Sequence, residues 1–174
     1  MESEFSAPSA EIAELKDINP RSGKKYSGFG VILDATRATP VSKSNGQETY
    51  VQLKVIDASM NPKTSEGPLS YIPLFIYQKS DSPYPFVEKI GDIIRFINFE
   101  FQDYNKQSQG KNRPAGSSWR IFHGQEDADT NDYCRSYNAI QRNDQTLVDQ
   151  LCKARKWATT FFQKYSRNFT LSFS

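Results

Sequence analysis

The chain has 174 residues, room for one domain of about 100 to 150 residues with extensions but cramped for two. Its 22 basic and 20 acidic residues leave a net charge of +2, so bulk charge names no partner and only the placement of charges can. Without an apolar span of about 18 residues, a basic-then-apolar N-terminus or a CxxC spacing for Cys134 and Cys152, the composition argues against a membrane helix, a secretory signal and a zinc site.

Residues 1–10 are small and polar, and Ile12, Leu15 and Ile18 then fall at weak helical spacing until Asn19-Pro20 stops them. Residues 1–25 therefore read as an N-terminal extension with one short turn. The run from Gly28 to Leu33 is strand one, its glycines permitting the sharp coiling of a barrel corner. ATRATPVSKSNGQ, 35–47, holds Pro40, the turn dipeptide Asn45-Gly46, and the bases Arg37 and Lys43 without an acid, so it reads as a basic loop. In strand two, 48–56, Tyr50 and Gln52 alternate with Val51, Leu53 and Val55 up to a turn at Asp57-Ala58-Ser59. YIPLFIY, 71–77, is strand three, with Pro73 tolerable only at an edge or bulge. SPYPFVEKI, 82–90, can hold a short helix capped by Ser82.

The central strand is GDIIRFINFEFQDY, 91–104. Ile94 and Phe96 set one apolar phase, and Ile97, Phe99 and Phe101 set the other, a slip that predicts a β-bulge. Next comes NKQSQGKNRPA, 105–115, a second acid-free basic loop with Lys106, Lys111 and Arg113, and then strand five at 117–122. Glu126, Asp127, Asp129 and Asp132 mark an acidic linker, 125–145. The final helix, 146–166, opens on Thr146 with Asp149 three residues on, and Leu147, Leu151, Ala154, Ala158, Phe161 and Tyr165 form its apolar stripe. The tail, 167–174, alternates Phe169, Leu171 and Phe173 in the manner of the start of a second barrel.

Five strands, with a short helix between the third and fourth and a helix after the fifth, match an OB-fold barrel over residues 26–124. Such barrels use the outer face of strands two and three and the loops joining strands one-two and four-five, and here both loops are the acid-free ones. Single-stranded nucleic acid needs cations along its phosphates and aromatic faces for its unstacked bases. Tyr77 and Tyr104, at the ends of strands three and four, are candidates for the second role, and Lys43, Lys106, Lys111 and Arg113 for the first. His123 has no nucleophile in a recognisable motif, Asp57 suits a turn better than a base, and no phosphate loop or metal-ligand spacing is present, so no enzyme and no cofactor is expected.

Five segments, GVILDAT at 30–36, YVQLKVIDAS at 50–59, IGDIIRF at 90–96, SSWRIF at 117–122 and RKWATTFFQKYS at 155–166, resemble the first OB domain of the ciliate telomere end-binding alpha subunits and protection-of-telomeres proteins. The resemblance covers most of the chain and implies a nuclear protein of telomeric chromatin that binds G-rich single strands and protects chromosome ends, with other telomere proteins as partners and no membrane. It also implies that Tyr77 and Tyr104 stack on bases, that Gln109 contacts a base, and that Lys43 and Thr49 lie at DNA contacts. Ile97 and Asn98 stand where many relatives carry a DNA-contacting His-Arg pair, and Leu33 stands where some place a lysine. That departure keeps a second expectation in play, an OB-fold protein-interaction module with weakened DNA binding.

Overall fold

In a computed structural model, the described residues are 12–60, 70–79, 87, 89–112, 116–128, 133–137 and 145–165. The alternation of strand two and the β-branched runs flanking it become β1 (Lys25–Ala35), β3 (Glu48–Ile56) and β4 (Ile72–Lys79), with a two-residue β2 (Thr39–Pro40) folded back on β3. They are followed by β5 (Ile93–Tyr104), β6 (Gln107–Lys111), β7 (Ser118–Phe122), β8 (Tyr133–Tyr137) and α1 (Gln145–Tyr165). The sheet runs β1-β3-β4-β6-β5, and β5 returns to β1, which closes a five-stranded OB-type barrel in which only β4 and β6 are parallel. Closure removes the free edges that an open sheet of this size would present.

The bulge is present, in a form that differs from the expected phase slip. β1 skips one register position between Tyr26↔Phe99 and Gly28↔Phe96, so Ser27 faces both Ile97 and Asn98. Asn98 takes φ +56, and its N–H donates to Ser27 Oγ at 3.0 Å. Burial resumes at Phe99 and not at Ile97, because the extra residue absorbs the slip. The bulge is also where β5 changes neighbour on its other side: Ile93–Ile97 pair with β7, and Glu100–Tyr104 pair with β6.

The strand expected at 117–122 is present as β7, and the main correction lies just before it. The basic loop expected over 105–115 contains β6, which pairs with β5 as a hairpin and completes the barrel ahead of β7. Asn105 (φ 51) and Lys106 (φ 63) form a two-residue turn of the left-handed kind that matches strand twist, so pairing resumes at Gln107. Gln109 and Lys111 therefore sit in a strand. Gly110 is the inward residue of β6, where a Cβ would stand 2.6 Å from Leu74 Cδ2 and 2.7 Å from Phe101 Cε1, so only glycine lets β6 close on the core.

Two other stretches do more than expected. Leu15 and Ile18, in the stretch read as an N-terminal extension, are buried in the barrel core. The short 3₁₀ turn Leu15–Asp17 plugs the lower end of the barrel, tied there by Leu15 N–H to Asp57 Oδ2 at 2.9 Å and Lys16 N–H to Ser59 Oγ at 3.2 Å. Asp57 also accepts from Ser59 N–H at 3.0 Å, the turn role expected of it. The acidic linker contains β8, an added strand on β7. The helix expected over 82–90 falls almost wholly outside the described residues, and the 167–174 tail lies outside them entirely.

The barrel interior holds Leu53, Leu74, Ile76, Phe96, Phe99 and Trp119, all fully buried. A second core lies outside the barrel wall, where Leu147, Leu151, Ala158 and Phe161 of α1 cover Phe29, Val31, Leu33, Ile93 and Phe122. Arg155 interrupts that apolar stripe, fully buried, its Nε donating to His123 O and its Nη1 to Ala128 O, each at 2.8 Å. Its charge-assisted bonds tie the helix to the backbone that leaves β7.

Candidate nucleic-acid interface

Alternation fixes which side chains leave the barrel. On β3 the odd positions Val51, Leu53 and Val55 point inward, so Tyr50, Gln52 and Lys54 face out; on β4 Leu74 and Ile76 point inward, and Phe75 and Tyr77 face out. The antiparallel register sets Tyr50 directly opposite Tyr77, and Gln52 opposite Phe75. Ring centroids are 5.6 Å apart for Tyr50–Tyr77 and 6.1 Å for Tyr50–Phe75, tilted by 38° and 50°. Three half-buried rings thus form one ladder across two strands. Each stays partly exposed, and mutual packing limits its rotation.

Tyr77 is held from behind. Its N–H donates to Asn112 Oδ1 at 2.7 Å, and its carbonyl accepts from Asn112 Nδ2 at 3.0 Å, so the side chain of Asn112 continues the β4–β6 pairing past the end of β6. Phe75 and Tyr77 direct their backbone groups to this side, and by the same alternation so does Pro73. The missing N–H of Pro73 is therefore not required by β3, which accounts for a proline opposite Lys54.

Polar groups continue the face across β6 and β5. Lys111 lies beside Phe75 and opposite Glu100, with its Nζ 3.4 Å from Gln102 Oε1; Gln109 lies opposite Gln102. Tyr104 ends the face at the hairpin tip, 59% exposed and opposite Gln107. The register places Tyr104 level with Tyr71, just ahead of β4 and six residues from Tyr77, or roughly 20 Å at strand rise. Tyr77 and Tyr104 therefore stand at opposite ends of the face. Lys54 lies between them, 4.9 Å over the Tyr71 ring and 3.9 Å from Asp34 Oδ2.

Lys43 is exposed in the loop before β3, at the Tyr77 end. The loop is folded on itself by Val41 N–H to Glu48 O (2.9 Å) and Ser44 Oγ to Val41 O (2.8 Å), and turned by Asn45 (φ 53) and Gly46 (φ 78). Thr49 shares the inward phase of Val51 at the barrel rim, opposite Gln78. Lys106 is exposed at the hairpin tip, at the other end of the face. Asn98 is half-buried beside β7, with its Nδ2 3.5 Å from Gly116 O, while Arg113 lies outside the described residues. The structure thus gathers Tyr77, Lys111, Gln109 and Tyr104 on one surface, sets Lys43 and Lys106 at its two ends, and leaves Thr49 and Asn98 at its margins.

Sequence reasoning did not single out Tyr50 and Phe75, which share the outer face with Tyr77. Their signal was the alternation itself, since Phe75 shares the phase of Tyr77 and Tyr50 alternates with a buried row. Half-exposed rings can stack on bases while the lysines beside them neutralise phosphates. Among the described residues no His, Cys, Asp and Glu cluster is arranged to hold a metal, and no helix is long and apolar enough to cross a membrane.

Residues 6–168 match the family model described as "Telomeric single stranded DNA binding POT1/CDC13". The chain is 30% identical over 175 residues to the telomere-binding protein subunit alpha of Stylonychia mytilus, covering 90% of this chain and 34% of that protein. It is 29% identical over 102 residues to the telomere-binding protein 51 kDa subunit of Euplotes crassus, covering 58% of this chain and 21% of that one. It thus spans about a third and a fifth of the lengths of these two relatives. Among solved structures, a Pot1–ssDNA complex superposes with a TM-score of 0.56 at 13% identity over 87% of this chain and 82% of the other. Fission yeast Pot1 with ssDNA gives 0.58 at 11% identity over 85% and 48%. At those identities the likeness is one of fold.

Proposed function

Since the chain belongs to the POT1/CDC13 family of telomeric single-stranded DNA-binding proteins, we propose that it binds G-rich telomeric single strands on the outer face of β3, β4, β5 and β6. The observation that carries this reading is the Tyr50–Phe75–Tyr77 ladder, three solvent-facing rings in van der Waals register on a rigid sheet. Bases stack on the rings and on Tyr104; Lys43, Lys106 and Lys111 meet phosphates; Gln52, Gln102 and Gln109 offer amides to base edges. The protein acts by binding, not catalysis, as a capping component of telomeric chromatin in the nucleus, alongside other telomere proteins. A fluorescence-anisotropy titration with a G-rich telomeric strand and a scrambled strand at low salt tests it. Preferential binding of the G-rich strand is expected; binding of neither refutes the reading.

One observation favours a second reading, a protein-interaction module. At the bulge, Asn98 turns its backbone N–H to Ser27 and its amide toward Gly116, and Ile97 supplies no charge, so neither of these two residues offers a cation to a phosphate or base. Loss of DNA binding together with retention of a telomere or replication protein partner would select it.

A further inference from the structure

At the lower end of the barrel, past Tyr104, a groove of about 470 Å³ opens between the N-terminal plug, the start of β4 and the β5–β6 hairpin. Its volume falls in the range of small-ligand sites. Leu15, Ile18, Met60 and Ile72 supply apolar lining, Tyr71 and Gln107 line it further, and Lys16 and Lys106 bring the cations. Among the described residues no acidic side chain lines it. The nearest acid on the hairpin, Asp103 opposite Ser108, has Arg21 Nη2 at 3.3 Å from its carboxylate. Glu14 stands 3.8 Å from Lys16, but both are exposed, and such a pair holds a lysine only weakly.

The geometry points to this groove as the seat of one further nucleotide of the same single strand, beyond the base that rests on Tyr104. This inference rests on the proposed binding face. The groove continues that face directly, because Gln107 lies opposite Tyr104 in the hairpin and reaches back to donate from Nε2 to Tyr71 O at 3.2 Å. A strand running from Lys43 past Tyr77, Phe75 and Lys111 to Tyr104 arrives at the groove mouth with a phosphate between two lysines. Its next base meets an apolar floor, with Ser70 and Ser108 lining the groove as hydroxyl partners for its edge. A nucleotide satisfies both halves of this site at once, an apolar π-faced base below and a phosphate at the cationic mouth. An apolar peptide would leave the lysines unused.

The test uses the shortest G-rich strand that retains binding, and the same strand lengthened by two nucleotides at the 5′ or the 3′ end in turn. For the wild type, extension at one end raises affinity about tenfold and extension at the other does nothing. Lys16→Glu, an exposed position away from the ring ladder, binds the short strand as the wild type does but loses the gain. Met60→Trp, which fills the groove, gives the same loss. If neither extension helps, or if the gain survives in both variants with circular dichroism unchanged, the groove is not a nucleotide seat. Failure of the short strand to bind wild-type protein would instead overturn the outer-face reading itself.

Discussion

Asn112 brackets the backbone of Tyr77, accepting from its N–H at 2.7 Å and donating to its carbonyl at 3.0 Å, from 35 residues away in sequence. The most distal ring of the ladder is therefore oriented by an amide that need not touch nucleic acid. Asn112→Ala should cost on the order of 1 to 3 kcal/mol in stability, since it removes two part-buried hydrogen bonds to the backbone of Tyr77. It should also weaken single-strand binding, and Asn112→Asp should restore one bond at most. Urea midpoints and anisotropy titrations on the same preparations check both halves.

The ladder itself predicts a graded loss. Tyr50→Ala, Phe75→Ala and Tyr77→Ala should each weaken binding by about 1 to 3 kcal/mol, as should Tyr104→Ala at the far end of the face. Because Tyr50 packs against both other rings, its removal should couple with theirs: Tyr50→Ala plus Tyr77→Ala should depart from additivity, whereas Tyr77→Ala plus Tyr104→Ala, roughly 20 Å apart, should add. A double-mutant cycle measured by anisotropy decides between these.

Charge is tested by salt. If Lys43, Lys106 and Lys111 each meet a phosphate, log affinity should fall against log salt with a slope of roughly −0.7 per contact, and each Lys→Gln change should remove about one such increment. An unchanged slope in all three variants would mean that these lysines are only solvated.

Much of this architecture could be read from the residues, and the failures have physical causes. β3 and β4 were legible because one face is buried and the other wet, which writes period two into the sequence. QSQGK, the β6 segment, was not, because its inward position at the core is a glycine filled from outside by Leu74 and Phe101; a strand that contributes space carries no hydrophobic signal. Its turn was hidden as well, since Lys106 at positive φ is no turn signature. Leu15 and Ile18 looked like a tail because only the barrel end shows what they cover. Arg155 looked like a polar lapse in the helix stripe until the carbonyls of His123 and Ala128 came into view. Of the site, Tyr77, Tyr104 and the lysines could be chosen from residue type, but the partnership of Tyr77 with Tyr50 exists only through strand register.

Asn98 at φ +56 gives a stability prediction independent of ligand. Asn98→Ala should destabilise by about 1 kcal/mol, because a Cβ without a compensating side-chain bond disfavours the left-handed region, while Asn98→Gly should be close to neutral. The same strain bears on engineering a cation here: Asn98→Arg carries that cost before any gain in binding, so affinity and urea midpoint should be measured together for Ile97→His plus Asn98→Arg.

The position of β5 has a consequence for how the protein reaches its structure. β1, β3 and β4 can zip together as their residues emerge during synthesis, but β1 has no second neighbour until Ile93–Tyr104 is available, and β4 has none until Gln107–Lys111 follows. Until then the chain presents two unpaired strand edges and an open interior. Closure joins segments about seventy residues apart in sequence, which makes it a slow, topology-limited step. It is the interval in which the nascent protein is most exposed to edge-to-edge association, and substitutions in the Ile93–Glu100 part of β5, which closes on β1, will show first as low soluble yield.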